Sequence, residues 1–154
     1  METVYRDDQV TQIGKYLGIP KNVVCDVITS YVEYLKNKLE GGETIKFLNI
    51  CYLKVGGKDE GVHETLAYTA HELGDRLDVQ PNVVYRVLTT FEEFLIRDLK
   101  KLYSYSIRGL LRIRLEKNYK GEYKVRTKKS TVYNGMDVYV TTLGSFKRKA
   151  EVLE

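Results

Sequence analysis

The stretch of sequence that decides the fold runs from Ile13 to Leu39, IGKYLGIPKNVVCDVITSYVEYLKNKL, and it occurs again from Leu73 to Leu99, LGDRLDVQPNVVYRVLTTFEEFLIRDL. Corresponding residues lie sixty positions apart, and no gap is needed to align the two copies. An internal repeat identifies the unit of folding, and a period of about sixty residues is too long for one turn of a solenoid. The sequence therefore predicts two small units in tandem.

We assign repeat 1 to residues 1–60 and repeat 2 to residues 61–154. Units of this size bury a small share of their surface when they fold alone. We therefore expect the two repeats to share a core or to pack on a neighbouring molecule.

Each copy has the pattern of a short helix followed by a longer one. Gly18 suits the left-handed position that ends the first short helix, and Pro20 then begins the long helix, where its missing N–H costs nothing. In repeat 2, Thr69 and Glu72 have the spacing of a capping box, which predicts that the short helix begins at Thr69. Each long helix carries one apolar stripe, formed by Val24, Val27, Ile28, Tyr31, Leu35 and Leu39 and by Val84, Val87, Leu88, Phe91, Leu95 and Leu99.

The pattern after each long helix changes from helical spacing to alternation. Residues 45–55 predict a pair of short strands with a tight turn near Asn49, and residues 105–115 predict the same pair in repeat 2. The glycine-rich and charged residues 56–61 then form a linker that closes repeat 1.

Repeat 2 continues beyond the point at which repeat 1 stops. The sequence predicts a turn at Lys120-Gly121, a hairpin at Asn134-Gly135 and a return strand over 136–143, on which Val138 and Val140 face one way. Residues 144–154 predict a short final helix or an extended basic segment. The predicted fold class is therefore α+β, with two units of helix, long helix and strand pair, the second extended by a β-arm.

The composition is that of a folded soluble protein, with 43% hydrophobic and 30% charged residues. No apolar run approaches the roughly 20 residues of a membrane span, and the polar start does not resemble a signal peptide. We therefore expect neither membrane insertion nor secretion. Cys25 and Cys51 lie within apolar patterns and are expected to be reduced, buried thiols.

Charge is distributed unevenly along the chain. Residues 1–60 carry 8 basic and 9 acidic side chains, a net charge of −1, whereas residues 100–149 carry 14 basic and 3 acidic side chains, a net charge of +11. Such a basic segment indicates a polyanion or an acidic protein surface as partner. The alternative is a solvated face that only keeps the protein soluble.

The order of the predicted elements resembles the histone-like HU and integration host factor family. The most specific stretch, Ile45–Val55, is similar to the family's strand–turn–strand motif, and Tyr105–Leu115 occupies the same place in repeat 2 and restores a turn glycine, Gly109. The resemblance covers nearly the whole chain, twice over. It implies two helical halves like those of a family dimer, fused in one polypeptide, and a β-arm that contacts the minor groove of DNA.

The resemblance implies that the arm lies at about residues 115–140. In the family the arm tip carries a wedge proline, but this chain has only Pro20 and Pro81, and repeat 1 has no arm. The resemblance therefore does not imply sharp bending of DNA. The cations implied as contacts to nucleic acid or to a partner are Lys117, Lys120, Lys124, Arg126, Lys128, Lys129, Lys147, Arg148 and Lys149, and the candidate interface aromatics are Tyr119, Tyr123, Tyr133 and Tyr139.

Two binding functions follow from these observations. The preferred one is a non-enzymatic assembly protein, because the chain resembles the integration-host-factor-like tail ring proteins of crAss-like tailed phages and its 13 tyrosines suit a partner-covered surface. Its partners would be further copies in a ring and other virion structural proteins, and its location the virion. The alternative is an architectural DNA-binding protein of the cytoplasm or nucleoid that contacts phosphates non-specifically.

Catalysis is the least favoured interpretation. His63 and His71 have no further histidine or cysteine at metal-ligand spacing, and the sequence contains no nucleophile elbow or phosphate loop. Glu33 and Glu93 recur between the repeats, but each falls on the polar side of its helix. We therefore expect no catalytic residue, metal, cofactor or small-molecule substrate.

Overall fold

The computed structural model describes residues 7–55, 64–107, 110–129 and 138–152, and these form an α+β fold. None of the helices in these ranges is both long and apolar enough to cross a membrane. The described residues form α1 (Asp7–Leu17), α2 (Lys21–Glu40), β1 (Ile45–Phe47), β2 (Cys51–Val55), α3 (Leu66–Leu77), α4 (Pro81–Leu102), β3 (Ser104–Ile107), β4 (Leu111–Lys117), β5 (Tyr123–Lys129), β6 (Val138–Thr142) and α5 (Gly144–Glu151).

The element order of the first half recurs in the second, as the internal repeat predicts. A short helix, a long helix and a pair of antiparallel strands follow one another in each half. The two apolar stripes are the buried faces of α2 and α4, since every stripe residue is at most 3% exposed. The predicted turns near Asn49 and at Lys120-Gly121 are also confirmed, whereas the linker at 56–61, Gly109 and the hairpin at Asn134-Gly135 lie outside the described residues.

The start of α3 differs from the prediction. Thr65, not Thr69, is the N-cap, and its side-chain oxygen accepts a hydrogen bond of 3.1 Å from the backbone N–H of Tyr68. Thr69 lies within the helix and is buried. The prediction was wrong because Leu66, one turn before Ala70, already belongs to the buried face of the helix.

A close backbone contact joins the short and the long helix of each half. The carbonyl oxygen of Gly14 accepts a 2.9 Å hydrogen bond from the Ile19 N–H, and that of Gly74 accepts one of 2.9 Å from the Val79 N–H. A Cβ at Gly14 would lie 2.8 Å from the Ile19 carbonyl oxygen, and a Cβ at Gly74 would lie 2.6 Å from that of Val79. This approach explains why glycine stands at both positions of the repeat.

Replacing Gly74 by alanine should lower the free energy of unfolding by about 1–3 kcal/mol, because the new methyl group meets rigid backbone. Alanine at Gly144 is the matched control. There the nearest atom is the flexible Arg148 Nη1 at 3.5 Å, and the helix propensity of alanine should stabilise the protein by up to about 1 kcal/mol. Urea unfolding followed by circular dichroism measures both values, and equal stability of the two variants would contradict the proposed contact.

The C-terminal strands β5 and β6 belong to different sheets, one in each half of the protein. The first sheet has the order β1-β2-β6 and the second the order β3-β4-β5, so a strand from beyond the second long helix completes the sheet of the first half. Val138 pairs with Val55 and Val140 with Leu53, which confirms that both valines face one way. Thr127 of β5 and Thr142 of β6 lie close, with 3.4 Å between their hydroxyl oxygens.

This pairing corrects the predicted partner of the return strand. The hairpin predicted at Asn134-Gly135 would pair the return strand over 136–143 with the strand that precedes it. In the described residues, β5 pairs instead with β4 and β6 with β2. The physical reason is that β2 offers an unpaired edge in the first half, and β6 satisfies its backbone groups.

One hydrophobic core extends through both halves, as expected for units too small to fold alone. Polar contacts also join the halves. Glu92 on α4 accepts a 2.7 Å hydrogen bond from the backbone N–H of Asn49 in the β1–β2 turn. Gln9 on α1 donates to Asp98 at 3.4 Å and accepts a hydrogen bond from the Tyr105 hydroxyl. The two repeats therefore pack on each other within one chain.

The final helix fastens the C-terminal segment to this body. Phe146 and Ala150 are at most 2% exposed, and α5 packs on α4 and β5. Glu151 accepts a 2.8 Å hydrogen bond from the backbone N–H of Val125 on the edge of β5. Just before α5, the Leu143 N–H donates to the Ile50 carbonyl at 2.8 Å.

The two cysteines are free thiols, but they differ in exposure. Cys51 is fully buried, and burial raises the pKa of its thiol to about 12. Cys25 is only partly buried. The predicted burial is therefore confirmed for Cys51 and only in part for Cys25.

Candidate functional site

The pairing of β4 with β5 determines which side chains share the outer face of the second sheet. Successive strand residues point to opposite faces. The inner face consists of buried residues that include Leu111, Ile113, Leu115 and Val125, each at most 5% exposed. The alternate positions are exposed or half-buried and form what we call the basic face: Arg112, Arg114, Glu116, Lys124, Arg126 and Lys128.

Like charges lie directly opposite each other on the basic face. Arg112 pairs with Lys128 and Arg114 with Arg126, so two consecutive same-face positions bring cation against cation. Only the third position, at which Glu116 faces Lys124, places opposite charges directly across from each other. Directly opposed like charges destabilise an antiparallel pair, so the basic face lowers the stability of the sheet that carries it.

Glu116 is the single carboxylate of the basic face as the described residues define it. Its Oε1 lies 3.6 Å from the Nε of Arg126, and both side chains are at least half exposed. An ion pair this exposed contributes little to stability. Of the remaining cations, Arg112 and Lys128 are exposed, and Arg114 and Lys124 are half-buried.

The second sheet ends in a hairpin turn that carries further predicted residues. Lys117 lies at the end of β4 and Lys120 in the turn, and both are exposed. Beside the turn, the rings of Tyr103 and Tyr123 stack in parallel, with centroids 5.6 Å apart and 4° between their planes. A hydrogen bond with Tyr123 raises the pKa of the Tyr103 hydroxyl above its ordinary value.

The cations of α5 lie in a different environment from the basic face. Arg148 and Lys149 line an open cleft between α4 and α5, together with Glu92, Glu93 and Lys100. The carboxylates reduce the positive potential in this cleft. Lys147, the third predicted cation of α5, is half-buried.

The first sheet also has a partly basic outer face. Lys46 and Lys54 are half-buried on it. Tyr52 lies on the same face, where it pairs with Lys46 across the strands and precedes Lys54 by two residues on β2. The predicted interface residue Tyr139 pairs with Lys54 and is 53% exposed.

The structure therefore distributes the predicted site residues over several places. It brings Lys124, Arg126 and Lys128 together on the basic face and leaves Lys147, Arg148 and Lys149 on α5. Lys129 pairs with Leu111 in the ladder, and Tyr133 lies outside the described residues.

Sequence reasoning missed two members of the basic face, Arg112 and Arg114. They belong to the stretch that we assigned to a core strand pair. The alternation of Leu111, Ile113 and Leu115 was the available signal, because it assigns the intervening arginines to the outer face.

The basic face can bind a polyanion by charge. Alternate residues of one strand lie about 6.6–6.8 Å apart and neighbouring strands about 4.7–4.9 Å apart, so the cations form a regular grid. Within the described ranges, no three histidine, cysteine, aspartate or glutamate side chains converge as metal ligands.

The fold and site together define an α+β protein with a basic sheet surface. Known protein families, characterised proteins and solved structures were compared with the chain, and none of them matches it.

Proposed function

We propose that this protein is a non-enzymatic, architectural nucleic-acid-binding protein that contacts the phosphate backbone through the basic face. The single observation that carries the proposal is the direct opposition of Arg112 to Lys128 and of Arg114 to Arg126. Such pairs cost the folded protein stability, and a polyanion lying across them would remove the repulsion. Sites that bind charged ligands commonly show this trade of stability against function.

The repeated organisation supports the same proposal. Two units of short helix, long helix and three-stranded sheet packed in one chain resemble a fused dimer of the HU and integration host factor type. The β4–β5 hairpin covers part of the basic arm implied for that family, but residues 115–140 contain no wedge proline. We therefore propose binding along the sheet surface, without sequence specificity, since phosphate contacts carry no sequence information.

The test compares two substitutions that remove one cation each. Arg112→Thr removes a cation that faces Lys128, whereas Lys124→Thr removes one that faces Glu116. We expect both to weaken binding to a DNA duplex about 3- to 10-fold at low salt. Only Arg112→Thr should also raise the free energy of unfolding, by about 0.2–1 kcal/mol, because only it relieves a like-charge pair.

Fluorescence anisotropy measures the affinity and urea unfolding the stability. If Arg112→Thr leaves DNA affinity unchanged while stabilising the protein, the basic face is a solvated surface and the proposal fails. If Arg112→Thr and Lys124→Thr change the free energy of unfolding equally, the opposition of Arg112 and Lys128 does not lower the stability of the sheet.

Subunit assembly is the second candidate, and a specific surface favours it. Leu102 and Tyr103 are 51% and 48% exposed at the end of α4, next to the Tyr103–Tyr123 stack. Exposed aromatic and aliphatic side chains of this kind suit a protein interface. In this role the chain would be a component of a virion ring, in contact with further copies and other structural proteins.

Mass photometry of the purified protein tests the assembly candidate. A closed oligomer that Tyr103→Ser disrupts would support it. A monomer at all concentrations, alone and with neighbouring structural proteins, would exclude it.

A further inference from the structure

Tyr119 is the most exposed large apolar side chain of the described residues, with 93% of its surface accessible. It lies at the tip of the hairpin between β4 and β5, flanked by the exposed Lys117 and Lys120. Hairpin turns usually consist of small polar residues that suit solvent. An aromatic ring held out at such a tip therefore requires an explanation.

The turn that holds Tyr119 is fixed by its own hydrogen bonds. The Oδ1 of Asn118 accepts from the backbone N–H groups of Lys120 and Glu122 at 2.9 and 3.0 Å. The Asn118 N–H donates to the Glu122 carbonyl at 2.8 Å, and the Gly121 N–H donates to the Asn118 carbonyl at 3.0 Å. Gly121 adopts φ +85°, a conformation that favours glycine.

A tip fixed in this way leaves the backbone at Tyr119 little conformational freedom to lose on binding. A binding segment whose backbone is already ordered contributes more to affinity, because less entropy is lost when the ligand arrives. The flanking lysines also favour a particular ligand chemistry. The Lys120 ammonium lies 5.8 Å from the centroid of the Tyr119 ring, and Lys117 is two residues away along the chain. Such a ring suits a nucleobase whose neighbouring phosphates reach the two lysines.

We infer that Tyr119 is a stacking site for an unpaired nucleobase. This inference rests on the proposed binding of nucleic acid to the basic face. In an intact duplex both faces of every base are covered, and unstacking one step costs a few kcal/mol. A gap or a single-stranded segment exposes base faces at no such cost. The protein should therefore prefer nucleic acid that combines a duplex with unpaired bases.

The chain offers a clean optical test because it contains no tryptophan. Tyr119→Trp introduces a single indole at the tip. We expect its fluorescence to be quenched by a DNA duplex that contains a short single-stranded gap, and to remain nearly unchanged with the same duplex without the gap. Quenching would report direct stacking of a base on residue 119.

Affinity measurements complete the test. Tyr119→Ala should weaken binding to the gapped duplex roughly 5- to 100-fold, which corresponds to the loss of one base–aromatic stack. Binding to the intact duplex should change less than about 2-fold. Tyr119→Phe should bind both as the wild type does, and Tyr16→Ala, which removes an exposed tyrosine of α1, serves as the control.

The outcomes separate this inference from the proposed function. If the wild type binds both duplexes equally and Tyr119→Ala changes neither, the stacking site is overturned while the basic face stands. If the protein binds neither duplex even at low salt, the proposed function fails and this inference fails with it. If the indole fluorescence of the Tyr119→Trp variant changes with protein concentration alone, the tip is a protein contact, and stacking is overturned in favour of assembly.

Discussion

Replacing Phe146 by alanine should lower the free energy of unfolding by about 3–5 kcal/mol, the usual cost of removing a buried phenyl ring. Phe146 is 2% exposed and, with Ala150, forms the buried side of α5. This short helix holds the segment that follows β6, and its Glu151 covers the edge of β5. Loss of the ring should therefore weaken both sheets at once.

Urea unfolding measures the effect, and Lys149→Ala is the matched control on the same helix. Lys149 is exposed, so its substitution should change stability by less than about 0.5 kcal/mol. Amide hydrogen exchange adds a spatial readout, because exchange should accelerate in β2 as well as in β5. A Phe146→Ala variant within about 1 kcal/mol of the wild type would show that the C-terminal segment is not part of the cooperative core.

Neutralising three cations of the basic face should weaken binding to duplex DNA about 10- to 100-fold at low salt. The variant combines Lys124→Gln, Arg126→Gln and Lys128→Gln, which removes all the cations that β5 contributes to the basic face. The expected loss follows from three phosphate contacts that no longer release counterions. Removing like charges should not reduce the stability of the fold.

The control variant neutralises an equal number of cations elsewhere, with Lys15, Lys36 and Arg86 on α1, α2 and α4 replaced by glutamine. Both variants lower the net charge of +4 equally. Affinity is measured by fluorescence anisotropy in the same buffer. Equal losses in the two variants would mean that overall charge, and not the basic face, governs binding.

The helices could be predicted from the sequence because their signals are local. Apolar residues recur at helical spacing in the stripe that ends in Leu39 and in the stripe that ends in Leu99. Both stripes are buried in the structure. The start of α3 was missed because Thr65 and Thr69 both precede apolar residues. Leu66 belongs to the hydrophobic core, and only this burial distinguishes the actual N-cap, Thr65, from the predicted one, Thr69.

The partner of β6 could not be predicted. The alternation of Val138 and Val140 indicates which face is buried, but it does not identify the neighbouring strand. The nearest strand along the chain is β5, but the actual partner is β2. That strand ends at Val55, more than eighty positions before Val138. Proximity in sequence favoured the wrong partner because it takes no account of the open edge in the first half.

The sequence predicts which region carries the candidate site, but not which of its cations share a face. The excess of cations in residues 100–149 identified the region. The ladder from Arg112↔Lys128 to Glu116↔Lys124 determines which cations share a face. Arg148 and Lys149 belong to the same basic segment, yet α5 places them beside carboxylates of α4.

The most direct test of the basic face as a nucleic-acid site is the salt dependence of DNA affinity. If its five cations each neutralise about one phosphate, the logarithm of the association constant should fall with the logarithm of salt concentration with a slope of about −3 to −5. In the variant that lacks the three basic-face cations of β5, the slope should be shallower by about 2 to 3. A wild-type slope near zero, or one that the variant leaves unchanged, would contradict the assignment of the basic face to nucleic acid.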